Sequence, residues 1–304
     1  MHRATLLLAI LLVIGLAPSI GVADWLDPGR SGALRFRVVE PGAVLGGRAS
    51  PDAQWYAVGS RQTAAAGTAD GELAAPSEGG IWRLGTRSDR PVEGPTLFVT
   101  TPLSMKSGGR IGDYRIGRWP AEDGASMYPA PPGMVKVTRG AQTTPLSARL
   151  TLAPFLTKDQ GDVWPKYVVI DPELVDLLEL LADAMVARGL PGSTLHVMSG
   201  FRTPQYNAQG VGAGGRARNS RHTHGDAADV WVDDDGDGVL DDLDGDGKST
   251  YADAQVMLRV LEEDVLPAHA DLAGGAGVYR ANAAHGPFLH VDTRGHRARW
   301  GLIE

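Results

Sequence analysis

Two stretches of the chain carry a helical period of apolar residues. Leu174, Leu177, Leu178, Leu181 and Met185 follow one another at 3.6-residue spacing, behind Asp171-Pro172, an acid at the N-cap and a proline at the first helical position. Gly189 ends that run. Tyr251–Leu266 repeats the pattern with Ala254, Met257, Leu258, Leu261 and Val265 on one face, and Pro267 stops it. Other segments alternate instead. In Ala227–Asp233 the side chains of Asp229 and Trp231 take one face of a strand, while Ala228, Val230 and Val232 take the core face. In Phe288–Asp292, His290 and Asp292 share a face opposite Leu289 and Val291, and Thr194–Met198 is a further strand. From Asp24 to about Leu146 no segment has a helical period. Leu34–Val39, Trp55–Val58, Thr96–Thr100 and Met134–Val137 read there as short strands between Gly, Pro, Ser and Thr turns. The pattern predicts a small β-rich domain over 24–146 and a second domain over 147–304 that mixes helices with strands.

Composition changes this picture in three places. The 304 residues carry a net charge of −7, but eight aspartates lie within Asp233–Asp246, and −7 + 8 = +1. The acidity is therefore local and gives no argument for binding nucleic acid or a membrane surface. The chain has no cysteine, which excludes disulfides, a lipid-modified cysteine and a thiol nucleophile. At the N-terminus His2 and Arg3 precede the apolar run Leu6–Leu16, and Gly21-Val22-Ala23 supplies small residues before Asp24. Residues 1–23 are expected to be a secretory signal peptide, leaving an exported, soluble protein with no membrane contact after cleavage. Nothing in the sequence sets an oligomeric state. Lys106–Trp119, with three arginines and a lysine among glycines, reads as a solvated hairpin or a loop facing the cell wall.

The densest chemistry is Ser220-Arg-His-Thr-His-Gly-Asp-Ala-Ala-Asp229. His222 and Asp229 offer the neutral nitrogen and carboxylate oxygen that zinc takes as ligands, and His290 offers a third on its strand. Three protein ligands leave a fourth position for water, the pattern of a catalytic zinc rather than a structural one. The same residues also suit a polar loop with surface histidines. Downstream, Asp233-x-Asp235-x-Asp237-Gly238 and Asp242-x-Asp244-x-Asp246-Gly247 both match the calcium-loop pattern, with Asp244 and Asp253 at the two twelfth positions. Calcium held by this insert, 233–253, is one expectation, and a solvated acidic loop is the other. Other peptidase chemistries are missing: no serine is followed three residues later by lysine, and there is no His-Glu-x-x-His.

Ser220-x-His222-x-x-Gly225-x-Ala227-x-Asp229 resembles the signature of the zinc D-Ala-D-Ala carboxypeptidase-like peptidases, which share the hedgehog/DD-peptidase fold. Ser199-Gly200-Phe201-Arg202 looks like the arginine turn on the substrate side of that family. Phe288–Asp292, followed by Arg299-Trp300, is similar to its bacterial murein-peptidase branch. The resemblance covers about Ser147–Glu304. It implies an α+β zinc domain in which His222, Asp229 and His290 hold Zn2+, and Arg202 meets a substrate carboxylate or the developing oxyanion. Many members place their general base three residues before the last zinc histidine, where this chain has Pro287. Asp292 and His285 are left as candidates, Asp292 having the alternative role of orienting a ligand imidazole. His224 is a candidate for a supporting or substrate-facing group. Two functions follow from the resemblance: an exported zinc peptidase acting on peptidoglycan stem peptides or cross-links, or a non-catalytic, metal-containing wall-binding module.

Overall fold

The computed structural model describes residues 25–212 and 215–301, so the expected signal peptide, 1–23, lies outside the described residues. The architecture is α+β and contains two main sheets. The first has seven strands: β1 (Phe36–Val39), β2 (Ala53–Ala57), β3 (Thr63–Ala65), β4 (Gly80–Thr86), β5 (Thr96–Pro102), β6 (Gly133–Val137) and β7 (Lys166–Val168). Their order is β7-β6-β5-β4-β2-β3, with β1 parallel to β5. Each apolar run expected in this half contains or overlaps a strand. Three short strands, Val44–Arg48, Glu72–Ala74 and Thr63–Ala65, and the longer β4 add to them.

The first sheet takes its edge strand β7 from beyond residue 146, the expected domain boundary. One apolar cluster includes Leu34, Phe98 and Met134 from the first half together with Leu178, Val230 and Leu289 from the second. A smaller cluster around Trp25, Trp55, Trp82 and Leu97 belongs to the first half alone. The two halves therefore share their larger core.

Helix α1 (Pro172–Ala187) starts as its cap predicts, the Asp171 side chain accepting the backbone N–H of Glu173. Its apolar face is core, but Asp176 and Glu179 are buried as well. Asp176 accepts the backbone N–H groups of Arg30 and Ser31, at 2.8 and 2.9 Å. Glu179 accepts the Ser147 hydroxyl at 2.6 Å and the Arg149 N–H at 2.9 Å. Buried carboxylates persist only when paired in this way, and here they fasten one segment of the first half and the junction to the helix.

The second sheet contains β8 (Leu195–Ser199), β9 (Ala227–Val232), β10 (Gly275–Tyr279), β11 (Phe288–Asp292) and β12 (Ala298–Trp300). Its order is β8-β9-β11-β10-β12, antiparallel except for the β10–β12 pair. Helices α2 (Pro204–Ala208) and α3 (Tyr251–Val260) complete the unit, α3 packing on β10, β11 and α1. Pro267 does not stop the helical course where its spacing suggests. A five-residue π turn, Leu261–Val265, precedes Leu266–Ala268, and the proline sits in the first turn of that last piece, where a missing N–H is tolerated.

Lys106–Trp119 contains the expected hairpin, Arg110–Ile111 pairing with Tyr114–Arg115, but the expectation that it is solvated is corrected. Tyr114, Ile116 and Trp119 are fully buried, and the Trp119 indole N–H donates to the carbonyl of Thr223, inside the His/Asp segment, at 2.8 Å. The glycines allow tight turns around large buried rings. The loop is thus a brace between the halves, and the Gln205 N–H donating to the Ile116 carbonyl at 2.9 Å extends it.

A chain beginning at residue 147 should therefore lack a cooperative unfolding transition, while the chain from residue 24 unfolds in one step. Thermal melts followed by circular dichroism check this. A sharp melt of the 147–304 fragment would contradict the shared core.

Candidate metal centre

The segment that contains His222 and Asp229 is a single 3-10 turn, Arg221–His224, followed directly by β9. Gly225 closes the turn at φ +77, and a Cβ there would lie 2.3 Å from the Val169 carbonyl oxygen. Only glycine fits that left-handed, crowded position. From there the strand carries Asp229 to the position opposite His290, its register partner on β11.

Three atoms meet on this face of the sheet. His222 Nε2 lies 3.2 Å from Asp229 Oδ1 and 3.2 Å from His290 Nδ1, and His290 Nδ1 lies 2.8 Å from Asp229 Oδ1. All three residues are buried. The other nitrogen of each imidazole is committed as a donor: His222 Nδ1 to the Gly200 carbonyl at 2.7 Å, His290 Nε2 to Asp292 Oδ2 at 3.3 Å. The nitrogens that face inward therefore present lone pairs in the neutral rings. Three converging lone pairs repel unless a cation or a proton sits among them. Ligands about 2.0–2.2 Å from zinc stand about 3.3–3.6 Å apart around a tetrahedron, close to the two 3.2 Å spacings here and wider than the 2.8 Å one. The donor set fits zinc.

The charges agree with that fit. Burial opposes ionisation of Asp229, but the hydrogen bonds and charges of His222 and His290 hold its carboxyl well below the usual range. Burial lowers the His222 pKa, outweighing Asp229. Burial also disfavours a charged His290, yet its bonds to Asp229 and Asp292 lift it to about 8.

Arg202 is brought to the site, where it holds one of the cluster's residues. Its guanidinium pairs with Asp229 Oδ2 and donates to Ser199 Oγ at 2.9 Å, leaving Asp229 Oδ1 for the cluster. Asp292 is held still more firmly. Oδ1 accepts the Gly275 N–H at 2.8 Å and Arg294 Nε at 2.7 Å, while Oδ2 accepts Arg294 and His290. Burial works against its charge, but those donors keep its carboxyl far below the ordinary carboxylate range. A carboxylate so saturated and so weakly basic orients His290 and does not take a proton from water. This is the alternative role open to it in the sequence and corrects its candidacy as general base.

His285 is half-buried in its own turn, Nδ1 donating to the Gly286 carbonyl and Nε2 accepting from the Asn282 amide, both at 2.8 Å. It is not part of the cluster. His224 is half-buried beside Tyr128, with ring centroids 6.1 Å apart, in the brace between the halves. Sequence reasoning missed Tyr279 and treated Trp300 only as part of a resemblance. Trp300 lies 5.2 Å from the His290 ring, and its Nε1–H donates to the Tyr279 hydroxyl at 2.9 Å. The available signal was the alternation Gly275-x-Gly277-x-Tyr279, which places two residues without side chains and one phenol on a single strand face.

The acidic insert winds twice in the same way. Asp233 accepts the N–H groups of Gly236, Asp237 and Gly238, and Asp242 accepts those of Gly245, Asp246 and Gly247. Asp233, Asp235 and Asp241 form one carboxylate group, and Asp242, Asp244 and Asp246 another. The twelfth-position acids do not join as the pattern suggests. Asp244 stays with the second group, and Asp253 accepts the N–H groups of Leu243, Asp244 and Thr250 to cap α3. Asp237 accepts the Val239 N–H and lies outside both groups. Asp241, at the ninth position of the first pattern, is the acid that the sequence reading left out.

A buried set of two histidines and one aspartate with oriented outer nitrogens could hold a metal ion, and its make-up fits a three-ligand zinc site. Residues 156–243 match the family described as Peptidase M15, a metallopeptidase family, which bears out the resemblance to the zinc D-Ala-D-Ala carboxypeptidase-like peptidases over that segment. The match spans Arg202, His222 and Asp229 and ends before His290, so the third ligand rests on the geometry. No curated protein and no solved structure matched the chain.

His222→Ala or Asp229→Ala should abolish stoichiometric zinc, and Asp292→Asn should weaken zinc affinity by about 10–100-fold through His290; metal analysis of the purified variants measures both. Zinc must also displace the proton that His290 holds below about pH 8. Apparent affinity should therefore fall about tenfold per unit as pH drops from 8 to 6 and level off above 8. Calorimetry across that range checks the sign, and a flat profile would contradict the His290 assignment.

Proposed function

We propose that the protein is an exported zinc peptidase of the hedgehog/DD-peptidase fold that hydrolyses peptidoglycan stem peptides or cross-links. The observation that supports this best is the convergence of His222 Nε2, Asp229 Oδ1 and His290 Nδ1, three potential ligand atoms, beside the Arg202 guanidinium. Zinc held there would supply a water of lowered pKa and an electrophile for the scissile carbonyl. The chain's own residues do the rest. Gly200 and Asp292 fix the two imidazoles, Arg202, itself held by Ser199, fixes Asp229, and the burial of the set keeps bulk water away from it. Export, by way of residues 1–23, belongs to the same proposal. So does a wall-peptide substrate, through the Peptidase M15 match.

A second reading has its own support. With Pro287 in the usual place of the base, and Asp292 saturated by Arg294, His290 and Gly275, the centre could serve a wall-binding module. Digestion of purified murein separates the two. The peptidase reading predicts new amines and shortened or uncross-linked muropeptides by mass spectrometry, lost with a chelator and restored by zinc. Zinc-replete protein that binds murein and releases nothing would favour the module.

The calcium expectation for 233–253 rests on the repeated Asp-x-Asp-x-Asp-Gly pattern. If the ion binds the folded state alone, a hundredfold excess over Kd adds about 2.7 kcal/mol, and the melting temperature should rise by several degrees at fixed zinc. Asp241→Ala should blunt that rise more than Asp237→Ala. A melt unmoved by millimolar calcium would leave the insert as a solvated loop.

A further inference from the structure

The metal face of β10 is built around absent side chains. A Cβ at Gly275 would lie 2.3 Å from Asp292 Oδ2, and one at Gly277 would lie 2.0 Å from Trp300 Nε1. The first glycine makes room for the Asp292–Arg294 pair, and the second lets the Trp300 indole settle over the strand against His290. The next residue on that face is Tyr279. Its ring stacks on Phe288, its register partner, with centroids 4.6 Å apart and planes 6° apart. The indole N–H of Trp300 then fixes the hydroxyl at 2.9 Å.

That hydrogen bond has a direction. An indole nitrogen can only donate, so the phenol oxygen accepts, and its own proton remains free for another partner. The hydroxyl lies within electrostatic reach of both the Asp229 carboxylate and the Arg202 guanidinium, and Tyr279 is 36% exposed. Burial and the Asp229 charge both push the phenol above its ordinary value, so it stays protonated near neutral pH. Arg202, the residue expected to meet developing negative charge, also holds Asp229 and Ser199 through Nη2 and Nε.

We propose that Tyr279 is a catalytic residue whose hydroxyl donates a hydrogen bond to the carbonyl oxygen of the scissile peptide as negative charge develops on it, with Trp300 as its positioning residue. The proposal rests on the peptidase reading. In the reaction the oxygen of water bonds to the carbonyl carbon, and the carbonyl π pair moves onto its oxygen. When the C–N bond breaks that pair returns, and the departing amine takes up the proton that the attacking water released. Tyr279 keeps its own proton throughout. Its contribution is a donor already aimed at the charge, which costs no reorganisation as the charge forms.

Tyr279→Phe keeps the stack on Phe288 and removes only the oxygen. Zinc-loaded wild type, Tyr279→Phe and Trp300→Phe are compared for zinc content, for kcat and KM on a cross-linked muropeptide, and for binding of a phosphinic pseudodipeptide, whose tetrahedral phosphorus carries the charged oxygen. Tyr279→Phe should hold full zinc and change KM by less than about threefold, while kcat falls about 100-fold and the phosphinate binds at least about tenfold more weakly. Trp300→Phe should show a smaller loss of the same kind. Wild-type kcat and phosphinate affinity in Tyr279→Phe would overturn the assignment and leave the peptidase reading intact. Zinc-loaded wild type that neither cleaves muropeptides nor binds the phosphinate would overturn the peptidase reading, and this proposal with it.

Discussion

Two imidazole nitrogens and a carboxylate oxygen face one another within 3.2 Å, all on buried residues, and each points inward because of the bond made behind it. Without the Gly200 carbonyl, His222 would be free to present a different nitrogen. Without Asp292, His290 would be free to turn. Without Arg202, nothing would reserve Asp229 Oδ1 for the cluster. Mutual repulsion of the three lone pairs is relieved by a shared cation, so the cost of bringing them together becomes binding free energy for a metal. The rest of the fold holds these outer partners in place.

The two halves divide that work. The second sheet sets the spacing: the register Asp229↔His290 places two ligands side by side, and Gly277, opposite His290, leaves space for Trp300. The first half braces the segment that contains His222. Trp119 reaches across to the Thr223 carbonyl, and the α1 carboxylates Asp176 and Glu179 hold Ser31 and Ser147. An unpaired carboxylate in such positions would be strongly unfavourable, so these contacts also enforce the alignment of the halves.

The sequence made local features readable and concealed those that depend on tertiary neighbours. His222 and Asp229 stand seven residues apart on a turn and a strand, and the α1 cap is spelled out by Asp171-Pro172. Each could be read because its cause lies within a few residues. Asp292 could be read as a base or as an orienting acid, and only its neighbours decide: Arg294 is two positions on in sequence, but Gly275 arrives from another strand. Arg202 was found, but not its commitment to Asp229, which is 27 residues away. Lys106–Trp119 looked solvated because glycines and cations outnumber its rings, yet Tyr114, Ile116 and Trp119 are the residues that pack. The Tyr279–Trp300 bond depends on the parallel pairing of β10 with β12, which no local pattern announces.

X-ray absorption at the zinc edge of the metal-loaded protein tests the central claim most directly. The account predicts a four-coordinate shell at about 2.0–2.2 Å, with the multiple-scattering signature of two imidazoles, one carboxylate oxygen and one further light atom. A six-oxygen shell without imidazole scattering, or a shell with a single imidazole, would contradict it.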